Sequence, residues 1–234
     1  MAKPWHTIDS VATDDGMLEL RQRGVSDFLI LINGRVLMNS STNRSEIALG
    51  ECVCNEVSMR RQPRVLIGGL GMGLTLRAAL GSLPISAQVI VAELNPVMVT
   101  WCRGPLAGLT NDAVDDPRVS IVVDDVSTVI AKASRVGAEK FDAIIIDLYE
   151  GPYSKTDARN DPFYGSRALK KTAAALAACG IFAVWGENPD VAFEKRLGAA
   201  GFSFDRQRPG RGGMRHVVYV ATNGGTAKSS TKKP

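Results

Sequence analysis

The sequence has little of what holds a small stapled or metal-bound domain together. Its 234 residues include four cysteines, Cys52, Cys54, Cys102 and Cys179, and none of them forms a CxxC pair. There are only two histidines, His6 and His216. No structural zinc site, no other metal site and no disulfide framework are expected. A chain of this length can bury a full core without either device. The start, MAKPWHTIDS, has no apolar region of signal-peptide type. No apolar run is long enough to span a bilayer. These absences predict a soluble cytoplasmic protein with no membrane partner. Net charge is also scarce once the end of the chain is set aside. The formal charge is +4, but Thr222 to Pro234 holds Lys228, Lys232 and Lys233 and no acid. The remainder carries 25 basic and 24 acidic residues. Such a body gives no footprint for nucleic acid. The segment 222–234 is small, polar and basic, and it reads as a flexible tail. No internal repeat is visible.

What is present is a change of pattern near residue 61. Residues 1–60 read as an N-terminal β-hairpin and a helix. GMLELRQ alternates apolar and polar residues, and DFLILINGRVLMNS reads as two short strands around Asn33-Gly34, a strong hairpin signal. NRSEIALGECVCNEVSMR then reads as a helix with Ile47, Ala48, Cys52 and Val57 on its apolar side and Asn43 or Ser45 as cap. From Arg64 onward come the short apolar runs RVLIGG, QVIVAEL, RVSIVVDD, FDAIIIDL and GIFAVWGE. Helical stretches at 73–81, 96–103, 126–136 and 165–178 separate them. Strands apolar on both faces, alternating with helices, predict a parallel sheet covered on both sides. A further helix, DVAFEKRLGAAG, precedes the strands FSFDRQ and RHVVYVAT. Strands so close in sequence must pair antiparallel. The fold class is therefore α/β: a Rossmann-like, doubly wound, mostly parallel seven-stranded sheet over residues 61–221, with the N-terminal β-hairpin as an extension.

The chemistry concentrates at successive strand ends. VLIGGLGMGLTLRAAL is a strand, a glycine loop and a helix, with Gly69, Gly71 and Gly73 in a GxGxG array. Glycine lets the backbone turn tightly and approach a ligand, and the following helix offers free N–H groups. A dinucleotide fingerprint would be GxGxxG, and here Leu74 holds its third glycine position. Glu93 ends the next strand, where an acid accepts hydrogen bonds from both ribose hydroxyls. Asp125 ends the third and suits an adenine amino group, or caps the following helix. Ligands of open α/β sheets bind along this edge, so the set points to an adenosine-containing cofactor.

VLIGGLGMG, VIVAELNP, DPRVSIVVDD and FDAIIIDLYEGP resemble the polyamine aminopropyltransferase (spermidine synthase) superfamily. The leading strands and NGRVLMNSSTNRSEIALGE are similar to that family's N-terminal region, and PWHTID with GGLGMGLTLRAAL is similar to its short bacterial members. The resemblance implies S-adenosylmethionine, or decarboxylated S-adenosylmethionine, held by Gly69, Gly71, Gly73, Glu93 and Asp125. It implies a homodimer. It also places Asp147 and Glu150 on the loop where these synthases carry Asp-x-x-Asp, whose second acid helps deprotonate the attacking amine. The second acid here is Glu150, followed by Gly151 rather than Asp-Pro, and Arg44 and Glu46 stand where an acidic, polyamine-gripping surface is expected.

A sulfonium is a ready alkyl donor, so an enzyme needs chiefly to align the nucleophile and remove its proton. Glu150 is the first candidate for that base and Asp147 the second, with Asp147 alternatively orienting the loop or holding the cofactor's amino group. Tyr149 joins them in the catalytic loop. Tyr153, Tyr164 and Trp185 are candidate aromatic walls for a sulfonium, and Glu187 a candidate acid of the substrate pocket. Asp190 reads as a helix cap, His216 as a strand residue, and His6 as isolated. Arg206, Arg208, Arg211 and Arg215 sit on the late hairpin, as solvated loop residues or as a carboxylate clamp. The expected activity is alkylation of a small-molecule amine, methyl transfer ahead of aminopropyl transfer. The alternatives are cyclisation of S-adenosylmethionine with release of methylthioadenosine, and a non-catalytic nucleoside-binding or interaction module.

Overall fold

Glycine and asparagine set the shape of the N-terminal region. A computed structural model describes residues 3–41, 43–153, 156–208 and 216–224. Its first elements are β1 (His6–Thr13), β2 (Gly16–Arg23), β3 (Asp27–Ile32) and β4 (Arg35–Asn39), an antiparallel sheet in that order. Asn33 and Gly34 both have positive φ, at 48° and 77°, which is what a tight two-residue hairpin turn demands. The Asn33 side chain then accepts a hydrogen bond from the Met17 N–H at 3.0 Å, fastening the turn to β2. Leu18, Leu20, Phe28 and Ile30 bury one face. The expected hairpin is thus a four-stranded sheet. Its extra strand, β1, lies at the edge and is exposed along most of its length, so no apolar alternation marks it.

Helix α1 (Arg44–Val57) follows, with Asn43 at its N-cap but no side-chain cap bond. It buries Leu49, Gly50, Val53, Cys54 and Val57. The expected apolar side was Ile47, Ala48, Cys52 and Val57, and of these only Val57 is fully buried. The correction has a packing cause. A Cβ on Gly50 would sit 2.7 Å from the Thr75 carbonyl oxygen, so α1 lies hard against α2 on its glycine face. That contact brings the first turn of α1 to the edge of the second sheet.

The second sheet begins with β5 (Arg64–Gly68), α2 (Leu74–Ser82), β6 (Gln88–Glu93), α3 (Pro96–Arg103) and the short α4 (Ala107–Thr110). It continues with β7 (Val119–Val123), α5 (Val126–Ala133), β8 (Phe141–Ile146), α6 (Ser166–Ala175), β9 (Leu176–Gly186), α7 (Val191–Ala199), β10 (Phe202–Gln207) and β11 (Val217–Asn223). The strand order is β10-β11-β9-β8-β5-β6-β7, with β5 to β9 parallel and the last two strands antiparallel. One core lies on each face: Ile67, Leu76 and Trp101 on one side, Leu66, Leu169 and Phe193 on the other. Chain order reverses between β5 and β8, and their C-terminal ends form the switch point where such sheets bind ligands.

Two helices end earlier than expected. α5 stops at Ala133, and α6 stops at Ala175 because Leu176 already pairs with Phe141 of β8. On the late hairpin Arg206 reaches Glu194 at 3.1 Å and Arg208 is exposed. Arg211 and Arg215 lie outside the described residues, as does most of the expected tail. Among the described residues no helix is long and apolar enough to cross a membrane.

One side chain ties the edge of the first sheet to the second layer. The Trp101 indole on α3 is buried, and its Nε1 donates to the Asp9 carboxylate of β1 at 2.6 Å. A hydrogen bond to a charged group contributes about 1.5–3 kcal/mol. Trp101→Phe should therefore lower unfolding free energy by about 1–2 kcal/mol, the discount reflecting the exposed Asp9. Urea melts check this, and Asp9→Asn, which keeps an acceptor, should cost less.

Candidate active site

The glycine loop is built by close approach. Gly69 leaves β5 with φ 93°, and a Cβ there would stand 2.3 Å from the Asp147 backbone oxygen. Gly71 has φ 51°, and its Cβ would meet Met38 of β4 at 2.6 Å. Gly73 is the left-handed N-cap of α2. Glu93, at the end of β6, is buried and braces this loop. One oxygen accepts from the Leu70 N–H at 2.7 Å and the other from the Asn95 N–H at 2.8 Å. Asp125 is the N-cap of α5, accepting from the Ser127 N–H at 2.7 Å.

A cavity of about 710 Å³ opens over the switch point. Gly69, Gly71, Glu93 and Met98 form one side, and Asp147, Leu148, Tyr149 and Trp185 another. The N-terminal sheet and α1 close it with Met38, Asn39, Ser41, Arg44, Ser45 and Glu46. Neither Gly73 nor Asp125 is among its lining residues. The cradle fits a nucleoside: side chains are missing where the backbone must approach, and a braced carboxylate stands at the β6 end.

Asp147 is the most perturbed acid of this cavity. Removal from water pushes its carboxyl up to about 7, the hydrogen bond from the Thr75 hydroxyl opposes that rise, and the nearby Glu46 charge adds to it. Thr75 is in the first turn of α2, and its hydroxyl also lies 3.4 Å from the Glu46 carbonyl oxygen. Ser45 donates to the Glu46 carboxylate at 2.7 Å and stands 3.4 Å from the His216 Nδ1. The His216 ring packs on Trp185 at 5.4 Å, and the Trp185 indole donates to the Leu148 carbonyl at 2.8 Å. A continuous ring of contacts thus runs from Asp147 through α2 and α1 to His216, which stands just before β11 rather than in the strand as expected, then to β9 and back to the loop after β8.

That loop splits the predicted residues between two cavities. A Cβ on Gly151 would stand 2.4 Å from the Trp185 carbonyl oxygen, so only glycine lets the chain cross the end of β9 there. On either side of it, Glu150 and Tyr153 are exposed and line a neighbouring cavity of about 760 Å³ with Asn188 and Asp190. Glu187 lines both cavities. Tyr149 stays at the first, its hydroxyl accepting from Arg35 of β4 at 2.7 Å. Tyr164 lines neither. It is buried against Phe163 and Phe193, and its hydroxyl donates to the Glu150 carbonyl at 2.9 Å, so it anchors the loop from beneath. Burial holds its phenol protonated. Asp190 caps α7 as expected, accepting from the Phe193 N–H at 2.8 Å. Sequence reasoning missed Ser45, Thr75 and His216 as site residues, and took Arg44 and Glu46 only as departures from a pattern.

The sheet order, the terminal antiparallel pair and the ligand edge at β5 and β8 define a doubly wound, glycine-loop fold of the spermidine synthase type. The solved spermidine synthase of Thermotoga maritima superposes with a TM-score of 0.71 at 20% identity, over 94% of this chain and 73% of that one. Residues 52–195, more than half of the chain, match the family model of the Spermine/spermidine synthase domain. The chain belongs to that family. The polyamine aminopropyltransferase of Shewanella oneidensis is 29% identical over 199 residues, 78% of this chain and 34% of the relative. That of Mycobacterium tuberculosis is 32% identical over 125 residues, 53% of this chain and 23% of the relative. The chain therefore spans well under half the length of these curated relatives.

Proposed function

We propose that this protein transfers an aminopropyl group from decarboxylated S-adenosylmethionine to the nitrogen of a small amine. The observation that carries the reading is Asp147. It is a carboxyl poised at about 7, in the same cavity as the glycine loop and Glu93, on the loop where the family keeps its reactive acid. Gly69 and Gly71 admit the donor's nucleoside. Glu93 takes the ribose hydroxyls, Gly73 orders the turn into α2, and Asp125, outside the cavity lining, fixes the start of α5 as its N-cap rather than holding the adenine. Tyr149 and Trp185 stand beside the sulfonium, where an aromatic face stabilises a cation by about 0.5–2 kcal/mol.

The donor supplies a carbon already activated by positive sulfur. The amine nitrogen forms the new carbon–nitrogen bond as the carbon–sulfur bond breaks, and the electron pair stays on sulfur as neutral methylthioadenosine. Asp147 takes the proton that the nitrogen sheds. Glu150 and Glu187, on the neighbouring cavity, attract the ammonium before it is deprotonated. Asp147 thus replaces Glu150 as first candidate for the base. Methyl transfer, the preference drawn from sequence, has no support among the relatives, which are named as aminopropyltransferases.

The test is mass spectrometry of the nucleoside product. Purified protein with decarboxylated S-adenosylmethionine and a panel of amines should release methylthioadenosine. S-adenosylhomocysteine from S-adenosylmethionine would restore methyl transfer, and methylthioadenosine without any added amine would restore cyclisation. The family likeness also implies a homodimer, which light scattering at micromolar concentration checks.

A further inference from the structure

The cavity contains a guanidinium that a site for a bare diamine does not need. Arg44, the first residue of α1, lines the cavity and is exposed to it. Among the described residues its side chain makes no hydrogen bond or ion pair, whereas Arg35 of β4 is bound to Tyr149. The nearest acid in sequence, Glu46, is engaged by Ser45 at 2.7 Å. The two oxygens of Glu93 accept from backbone N–H groups. Arg44 stands on the wall that the Thr75 and Glu46 contacts join to Asp147. The cavity therefore presents two acids that can handle an ammonium, Asp147 and Glu187, and an unengaged cation on α1.

A polyamine carries positive charge at each amine, and a guanidinium in its pocket repels it. A molecule with a carboxylate beside its amine meets both charges with opposite charges. Arginine binds a carboxylate through two parallel N–H bonds, a geometry that lysine cannot reproduce. We propose that Arg44 is a specificity-determining residue that pairs with a substrate carboxylate, so that one of the two reactants is an amino-acid-type molecule. This rests on the alkyl-transfer reading above and names the substrate class for that site. The carboxylate belongs either to the acceptor or to the donor, as intact S-adenosylmethionine. In either case the bond made is carbon–nitrogen, the bond broken is carbon–sulfur, and the proton leaves from the nitrogen to Asp147.

Two pairs of compounds differ by one carboxylate: ornithine and putrescine as acceptors, S-adenosylmethionine and decarboxylated S-adenosylmethionine as donors. Methylthioadenosine release is followed for decarboxylated donor with putrescine, decarboxylated donor with ornithine, and S-adenosylmethionine with putrescine. One carboxylate-bearing pair should exceed the carboxylate-free pair in kcat/KM by about 10- to 100-fold, the range of a charge-assisted contact. The pair that does so identifies the source. Arg44→Gln should erase that preference, mostly through KM, with unchanged melting, and Arg44→Lys should restore only part of it. Best turnover by the carboxylate-free pair, or a preference that survives Arg44→Gln, overturns the role of Arg44. If no pair releases methylthioadenosine, the alkyl-transfer reading fails separately. Calorimetric binding of ornithine, putrescine and both donors to wild type and Arg44→Gln then decides the inference, which falls if Arg44→Gln leaves the carboxylate-bearing ligands bound as before.

Discussion

Asp147→Asn should lose most turnover and yet melt later than the wild type at alkaline pH. The loss follows from the proton. A positioned base contributes about 10²–10⁴-fold, and an amide cannot take its place. In the wild type the rate should fall as pH drops through about 7, because protonation of Asp147 removes the base. The gain in stability follows from the same perturbation. Asp147 is raised in the folded state, to about 7, above the roughly 3.9 of an unfolded aspartate. The folded protein therefore binds this proton more tightly than the unfolded chain does. The stability it confers is complete below about 4 and is lost as pH rises through about 7. Above that, the native state holds a carboxylate that its surroundings disfavour, and Asn is relieved of it. The variant should gain about 1 kcal/mol at pH 8, which is about 2–4 °C for a domain of this size. Scanning calorimetry at pH 5 and pH 8 checks it, since the advantage should be larger at pH 8. An advantage equal at both values would mean that Asp147 is not desolvated.

The same residue shows what was legible in the sequence. Asp147, Gly69 and Glu93 lie in short local motifs, each at the end of an apolar run, and strand ends are placed by the run itself. The parallel strands were legible because they are apolar on both faces, as Val65 to Ile67 and Ala143 to Ile146 are buried. The edge strand β1 was not, because exposure on both sides leaves no period to read. Residues that complete the site come from far along the chain. Thr75 reaches Asp147 across 72 positions and His216 reaches Ser45 across 171. No local pattern encodes such a meeting. The wrong face of α1 has the same origin, since Gly50 is buried without carrying any apolar side chain.

Glu150 illustrates a different limit. Spacing along a loop fixes the order of its residues but not which cavity each side chain enters. Here Trp185 and Tyr164 hold the loop by its backbone, at Leu148 and Glu150, and Gly151 turns under the Trp185 carbonyl. Asp147 and Tyr149 are kept on the glycine-loop side and Glu150 is carried to the other. On the proposed reading, the altered motif would divide two duties, proton transfer and ammonium attraction, between two neighbouring pockets that share Glu187.

Gly69→Ala should be the most damaging single methyl in the site, and the three loop glycines together make the case testable. A Cβ on Gly69 would lie 2.3 Å from the Asp147 carbonyl oxygen, which is backbone at the C-terminal end of β8, held by the Asp147 N–H to Gly68 carbonyl bond, and has little room to yield. Its φ of 93° also lies where alanine is strained. Left-handed strain of about 1–2 kcal/mol and overpacking of about 1–3 kcal/mol place the total near 2–5 kcal/mol. Gly71 meets only the end of Met38 at 2.6 Å, and a methionine can swing aside. Gly71→Ala should fold, but the displaced Met38 enters the cavity and nucleoside binding weakens. Gly73 has φ 78°, and its Cβ would find Thr110 at 3.3 Å. Gly73→Ala should cost little beyond strain, about 1–2 kcal/mol. Denaturant midpoints should thus rank Gly69→Ala well below the other two, while nucleoside affinity should separate Gly71→Ala from Gly73→Ala. Equal midpoints for Gly69→Ala and Gly73→Ala would show that β5 and β8 do not approach as closely as the loop requires, and the placement of Asp147 over the glycine cradle would have to be abandoned with it.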